Sequence, residues 1–200
     1  MEYYCNLKEG QSSILKKHIR NFATKDCISY NILVQCEMGD VCMNVIKQLK
    51  PYLVSILIAL AVGALGGIVT SNGMPNYEQI IKPALTPPSI VFPIVWTILY
   101  ILMGISAAMV WKQESSKQRR FALIIYALQL VLNFLWSYLF FSMQAYFLSF
   151  VCLLVLWVLI VMMIWSFSRV DPRAARLQIP YLLWVTFAGY LNFAVWLLNR

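Results

Sequence analysis

The sequence predicts an all-α membrane protein: a bundle of five transmembrane helices with an ordered proline-containing loop between the first and second. Three observations lead there. The 200 residues are 61% hydrophobic and only 12% charged, about half the charged share of an average soluble chain. Five apolar runs each approach the roughly twenty helical residues needed to cross the hydrocarbon core. Between the first two runs, Pro83, Pro87 and Pro88 crowd into one short stretch. They remove three backbone donors and restrict φ, so residues 82–88 cannot be helix interior.

The spans follow in order. The first is expected over about 51–70, where Ala59, Gly63 and Gly67 recur every four residues. Such a small-residue stripe lets two helix backbones approach closely, either within the chain or across a dimer. Ser71-Asn72-Gly73 then reads as a turn. The proline segment opens into the second span, about 89–111, with Pro93 near its first turn, where a missing N–H does little harm. A basic loop, Lys112 to Arg120, leads to the third span, about 121–141. Ser142 to Ala145 is a tight turn before the fourth, about 146–167. Asp171-Pro172 supplies an N-cap and an N1 proline for the fifth, about 174–198, which should kink or loosen near Pro180.

Residues 1–42 stand apart as an N-terminal extension outside the five-helix domain of residues 43–200. The extension holds five basic and five acidic residues and no long apolar run. It matches neither a secretory signal nor an acid-poor transit peptide. We expect a disordered tail, or a start upstream of a true one at Met43. The alternative is a short basic amphipathic helix over Ser13 to Arg20 on a membrane surface. Cysteines 5, 27, 36, 42 and 152 form no CxxC pair, and His18 is the sole histidine; neither a disulfide framework nor a metal site is expected.

The net charge of +8 sits entirely in residues 43–200, and mostly in loops. A basic loop bias sets membrane orientation; it gives no reason to expect a nucleic-acid partner. With the N-terminus inside, nine loop Lys/Arg fall on the inner side, against Lys82 and Arg200 outside. The proline loop then lies on the outer face.

The aromatic residues fall on stripes. Phe92, Trp96 and Tyr100 share one face of the second span; Asn133, Trp136, Ser137 and Phe140 share one of the third; Trp184, Ala188 and Asn192 share one of the fifth. Amides in hydrocarbon need a partner, so Asn133 and Asn192 should face inward, Asn192 toward a neighbouring helix and Asn133 toward either a helix or a pocket. Trp111, Trp157, Trp165 and Trp196 read as interfacial anchors or packing. Three aromatic stripes with few polar groups and no charge describe a site for a flat hydrophobic ligand.

The motif Tyr77-x4-Lys82-Pro83-x3-Pro87-Pro88-x3-Phe92-x3-Trp96-x3-Tyr100-x3-Gly104 resembles the TspO/MBR family of tryptophan-rich sensory and translocator proteins. So do Leu132-Asn133-x2-Trp136-Ser137-x2-Phe140-Phe141 and Pro180-Tyr181-x2-Trp184-x2-Phe187-Ala188-x2-Leu191-Asn192. The resemblance covers about 48–200. It implies a homodimeric receptor-like membrane protein that binds tetrapyrroles such as protoporphyrin IX or haem, with no obligatory cofactor. Carried over position by position, the ligand site would use Tyr77, Pro87, Trp96, Asn133, Trp136, Trp184 and Ala188, with Tyr100 on the Trp96 stripe. Lys82 at the rim would pair with a propionate. Asn76 and Leu85 stand where family members often carry aromatics, which predicts less stacking surface in the lid. The weak sterol pattern of Leu/Val, Tyr and Lys/Arg fails in the fifth span, since Tyr190 has no basic residue before Arg200.

Three functions compete: capture of a porphyrin for sensing or regulation, light- or oxygen-dependent porphyrin breakdown using Trp96 and Trp184, and translocation. The first is favoured. The sequence has no nucleophile–histidine set and no histidine in any span. Nor does it carry the buried ionisable residues or inverted repeat usual in coupled transporters. We expect a bacterial inner membrane, with the mitochondrial outer membrane as the alternative.

Overall fold

The computed structural model describes residues 46–200 apart from Asn76 and Glu78; the extension of residues 1–42, with its four cysteines, His18 and the Ser13–Arg20 segment, lies outside the described residues. All regular structure described is helical, and five segments are long and apolar enough to cross a membrane. Helix α1 covers Ile46–Pro75, α2 Val91–Trp111 and α3 Lys117–Ser137. A five-residue π-helical turn, Tyr138–Ser142, prolongs α3. Then come α4, Tyr146–Ser168, a short α5, Pro172–Arg176, and α6, Ile179–Leu198.

Local chemistry explains most of the boundaries. Ser116 caps α3 by accepting a hydrogen bond from the Arg119 amide at 3.1 Å, and the Arg119 guanidinium donates to the carbonyls of Trp111 and Gln113. Asp171 caps α5 through the Arg173 amide at 2.8 Å, with Pro172 in the first turn. The Ser142–Ala145 turn closes with Gln144 at φ 53°, the one positive φ among the described non-glycine residues. The expected loosening of the fifth span is a break, with α5 ending at Arg176 and α6 beginning at Ile179. The Pro180 ring falls in the first turn of α6, where no intrahelical N–H is lost. The first helix runs longer at both ends than the apolar run suggested: Ser71-Asn72-Gly73, expected as a turn, stays helical through Pro75, with Gly73 packed directly against the Phe141 backbone.

Among α2–α6, the α3–α4 and α4–α6 pairings are the most extensive, and α2 packs on α3 and α5. Ser106 on α2 donates to the Ala174 carbonyl on α5 at 2.8 Å. The small residues of the first span meet this chain's own second helix. A Cβ on Gly104 would lie 2.5 Å from the Ile56 Cα, and one on Gly63 would lie 2.5 Å from the Tyr100 ring. Both are closer than side-chain atoms tolerate, so glycine is what allows α1 and α2 to cross in contact. Ala59 is fully buried, whereas a Cβ at Gly67 would meet nothing within 4 Å.

The two ends of the bundle are distinct. Gln113 donates to Asp171 at 3.3 Å, so the two basic loops share one end. At the other end, Asn199 exchanges two 3.0 Å hydrogen bonds with the backbone of Ile81, tying the proline segment to the end of α6. A turn in that segment is closed by the Thr86 amide donating to the Pro83 carbonyl at 3.0 Å.

Candidate functional site

The α2 stripe sets the site. Phe92, Trp96 and Tyr100 project at helical spacing into the space between α1, α2 and α3, where a cavity of about 760 Å³ opens. Trp96 is its centre: its ring lies 5.7 Å from Tyr100, 6.0 Å from Trp136 and 6.2 Å from Tyr181. Trp136 and Phe141 from α3 and its π turn close one side, and Gly63, Ala64, Gly66 and Gly67 of α1 form a smooth opposite wall. Among the described residues no charged side chain lines it. At this volume, and with a mostly apolar lining carrying a few placed polar groups, the cavity falls in the range of small-molecule sites.

A second hollow of about 420 Å³ adjoins it beneath the proline segment, with Met74, Ser89 and Phe92 common to both. Tyr77, Lys82, Pro83, Thr86, Pro87 and Pro88 complete its walls. The Lys82 ammonium sits 4.9 Å from the centre of the Tyr77 ring, a cation–π distance. Burial, with the Tyr146 phenol adding to it, holds the Tyr77 phenol above its ordinary value, so at neutral pH this ring is uncharged and its face remains available to the cation.

Beneath the aromatic layer lies a hydrogen-bonded core that fixes the rings in place. The Tyr100 hydroxyl donates to Asn133 Oδ1 at 3.0 Å, Asn133 Nδ2 donates to the Tyr181 hydroxyl at 2.9 Å, and Tyr181 donates to Gln129 Oε1 at 2.8 Å. Trp136 Nε1 donates to Asn192 Oδ1 at 3.0 Å, an oxygen that also accepts from Ser149 at 3.1 Å. Asn192 Nδ2 in turn donates to the Tyr146 carbonyl at 2.9 Å. Asn192 thus locks α3, α4 and α6 together at one point.

The residues singled out from the sequence divide into three groups. Trp96, Tyr100 and Trp136 line the cavity; Tyr77, Lys82 and Pro87 line the hollow beside it. Asn133, Trp184 and Ala188 line neither. Asn133 is buried one turn from Trp136, with Tyr100 and Tyr181 taking one bond on each end of its amide. Trp184 packs edge-on against Phe92 at 6.0 Å, so Phe92 stands between it and the cavity. Ala188 is buried on the same face of α6. Gln129 has no place in the sequence motifs, and Tyr181 appears there only as a motif position without a role, although polar character inside an apolar span is the signal both carry. The α1 stripe reads from the sequence as a packing seam, whereas Gly63 and Gly67 also form part of the cavity wall. Of the tryptophans read as interfacial, Trp111 and Trp165 are exposed near helix ends, each beside an arginine, Arg119 at 5.5 Å and Arg169 at 4.7 Å.

Five helices long and apolar enough to cross a bilayer, with a tryptophan-centred cavity between α1, α2 and α3, define an integral membrane protein. The family model for the TspO/MBR family matches residues 55–197, and the chain belongs to that family. A tryptophan-rich protein TspO from Chlorobaculum tepidum is 39% identical over 158 residues, covering 76% of this chain and 98% of the relative. A tryptophan-rich sensory protein from Cereibacter sphaeroides is 40% identical over 62% of this chain and 76% of its own length. The translocator protein of Bos taurus is 36% identical, covering 69% of this chain and 83% of the relative. Every spanning segment falls at least in large part inside the matched residues.

Proposed function

We propose that the protein is a membrane-embedded sensory or regulatory protein that captures a tetrapyrrole such as protoporphyrin IX or haem in the aromatic cavity under the first loop. The observation that carries this reading is the cluster of Trp96, Tyr100 and Trp136 around one uncharged space of about 760 Å³. Rigid aromatic faces bind a flat ring system with little entropy lost. Lys82, in the adjoining hollow, would take a propionate, converting the apolar fit into an oriented one. Trp184 Nε1 is buried without an acceptor among the described residues and would become a donor to the ligand if Phe92 moved aside. On the positive-inside argument, the basic loops face the interior and Lys82 the outside.

Titration of protein in lipid nanodiscs with protoporphyrin IX, followed by tryptophan quenching in the dark and under illumination, tests this. Saturable quenching is expected, and Trp96→Leu should weaken the affinity about tenfold, or about 1.4 kcal/mol. Quenching that is linear and unchanged by Trp96→Leu would refute capture at this site. Loss of the Soret band only under light and air, abolished by Trp96→Leu and Trp184→Phe, would replace capture with photochemical breakdown.

A further inference from the structure

The cavity is not sealed toward the bilayer. Seven of its lining residues are exposed; Ser89 lies at the outer end, and the other six form two stripes, Ala64, Gly67 and Ser71 on α1, and Ile90, Pro93 and Thr97 at the start of α2. Each stripe has the i, i+3, i+7 spacing of one helix face. From Val91 to Thr97 the α2 axis advances roughly 9 Å, and from Pro75 back to Ala64 the α1 axis advances roughly 16 Å. The mouth therefore extends from the helix ends into a hydrocarbon core about 30 Å thick.

The chemistry of this mouth suits hydrocarbon rather than water. The Ser71 hydroxyl donates to the Ile68 carbonyl at 2.9 Å, and the Thr97 hydroxyl to the Pro93 carbonyl at 2.8 Å. Both donors are spent on their own helix, so the stripes expose carbon. Deeper in, Ser137 donates to the Asn133 carbonyl in the same way. A water column would find few partners here, and buried waters need two to four. At the outer end the shared residues Ser89 and Phe92 lead to the exposed Lys82, the one cation on either hollow among the described residues.

We propose that this mouth admits an acyl chain of a bilayer phospholipid, which fills the aromatic cavity while its phosphate lies toward Lys82. An apolar cavity continuous with the bilayer is filled by what the bilayer supplies, because an unfilled void forfeits dispersion contacts on every wall. Any hydrophobic ligand would then enter sideways and displace a lipid tail. This goes beyond porphyrin capture and does not depend on it.

The test uses no porphyrin. The full-length protein is placed in vesicles of phosphatidylcholine carrying bromines at mid-chain, and in unbrominated vesicles as reference. Bromine quenches an indole only on near contact. The emission of Trp96 is isolated as the difference between the wild type and Trp96→Phe, with the other six tryptophans as the common background. Trp96 faces inward, yet its emission is expected to fall by half or more. Plugging the mouth with Thr97→Phe together with Ala64→Phe, each measured against the same plug carrying Trp96→Phe, should restore it at least twofold, with Trp136 on the same cavity wall recovering alongside. Gly67→Leu, at a position where a Cβ meets nothing within 4 Å, provides a second plug should the double variant fail to fold. Trp96 emission unaffected by bromine would overturn the proposal, and so would quenching that both plugs leave intact. Loss of porphyrin binding in the earlier titration would not bear on this result.

Discussion

The α3–α4–α6 side of the bundle and the α1 side are held by different physics. On the first side, Asn192 joins three helices through bonds to Trp136, Ser149 and Tyr146, and Asn133 joins Tyr100 to Tyr181. Helix α1 instead relies on glycine-permitted close approach, at Gly63 against Tyr100 and at Gly104 against Ile56. Hydrogen bonds are directional and keep a single geometry; close packing of smooth surfaces tolerates sliding. The aromatic floor of the cavity stands on the first kind of support and its opposite wall on the second. A cavity made this way should hold its ring positions and yield first at its α1 wall.

The largest effect should come from breaking the α1 contact. Gly104→Leu puts a side chain into the Ile56 backbone, which has no rotamer with which to yield. Overpacking typically costs about 1–3 kcal/mol, and a backbone collision belongs at the upper end. The variant should show a fall of several degrees in thermal midpoint and early proteolysis within α1, with the Trp136 environment preserved. Simultaneous loss of both ends of the bundle would show that α1 is no less integral than the rest. A smaller effect is expected from Asn192→Ala, which leaves the buried Trp136 N–H without its acceptor, while the Ser149 hydroxyl keeps the Tyr146 carbonyl at 2.9 Å. Orphaning a buried donor costs about 1–3 kcal/mol, and polar contacts between membrane helices measure at the lower part of that range. The thermal midpoint should drop by about 2–6 °C, with a red-shifted Trp136 emission that Asn192→Asp partly restores. An unchanged midpoint would remove the hydrogen-bonded lock from the account.

Much of this was legible before the structure. Five spans are hard to miss when the bilayer demands long apolar runs, and prolines 83, 87 and 88 could only mark a break. The inward faces of α2 and α3 were legible because Trp96, Tyr100, Asn133 and Trp136 combine helical spacing with chemistry. What stayed hidden depends on relations between helices. Gln129 and Tyr181 acquire meaning only as successive links from Asn133, and nothing in spacing along one helix reports a partner on another. The π turn at Tyr138–Ser142, which carries Phe141 to the cavity wall, has no sequence signature of its own. Phe92 also reads as an ordinary stripe residue, although it separates Trp184 from the open space.

The smallest effect, and the sharpest separation of the two regions, belongs to Gly67. The stripe Ala59, Gly63, Gly67 reads as one uniform seam, but its members differ in surroundings: Ala59 is fully buried, Gly63 is pressed against Tyr100, and Gly67 faces open space. Gly67→Ala should therefore not destabilise. Replacing glycine by alanine inside a helix favours the folded form by up to about 1 kcal/mol, and no neighbour opposes the new methyl. A thermal midpoint equal to or up to about 3 °C above that of the wild type is expected, together with a cavity narrowed by one methyl group on its α1 wall. Ligands that fill the cavity should lose affinity a few-fold while smaller apolar ligands hold theirs. A midpoint lowered by as much as Gly63→Ala lowers it would mean that Gly67 is packed against a neighbour after all, a second copy of the chain included, and the α1 wall would then be a seam rather than the adjustable side of a site.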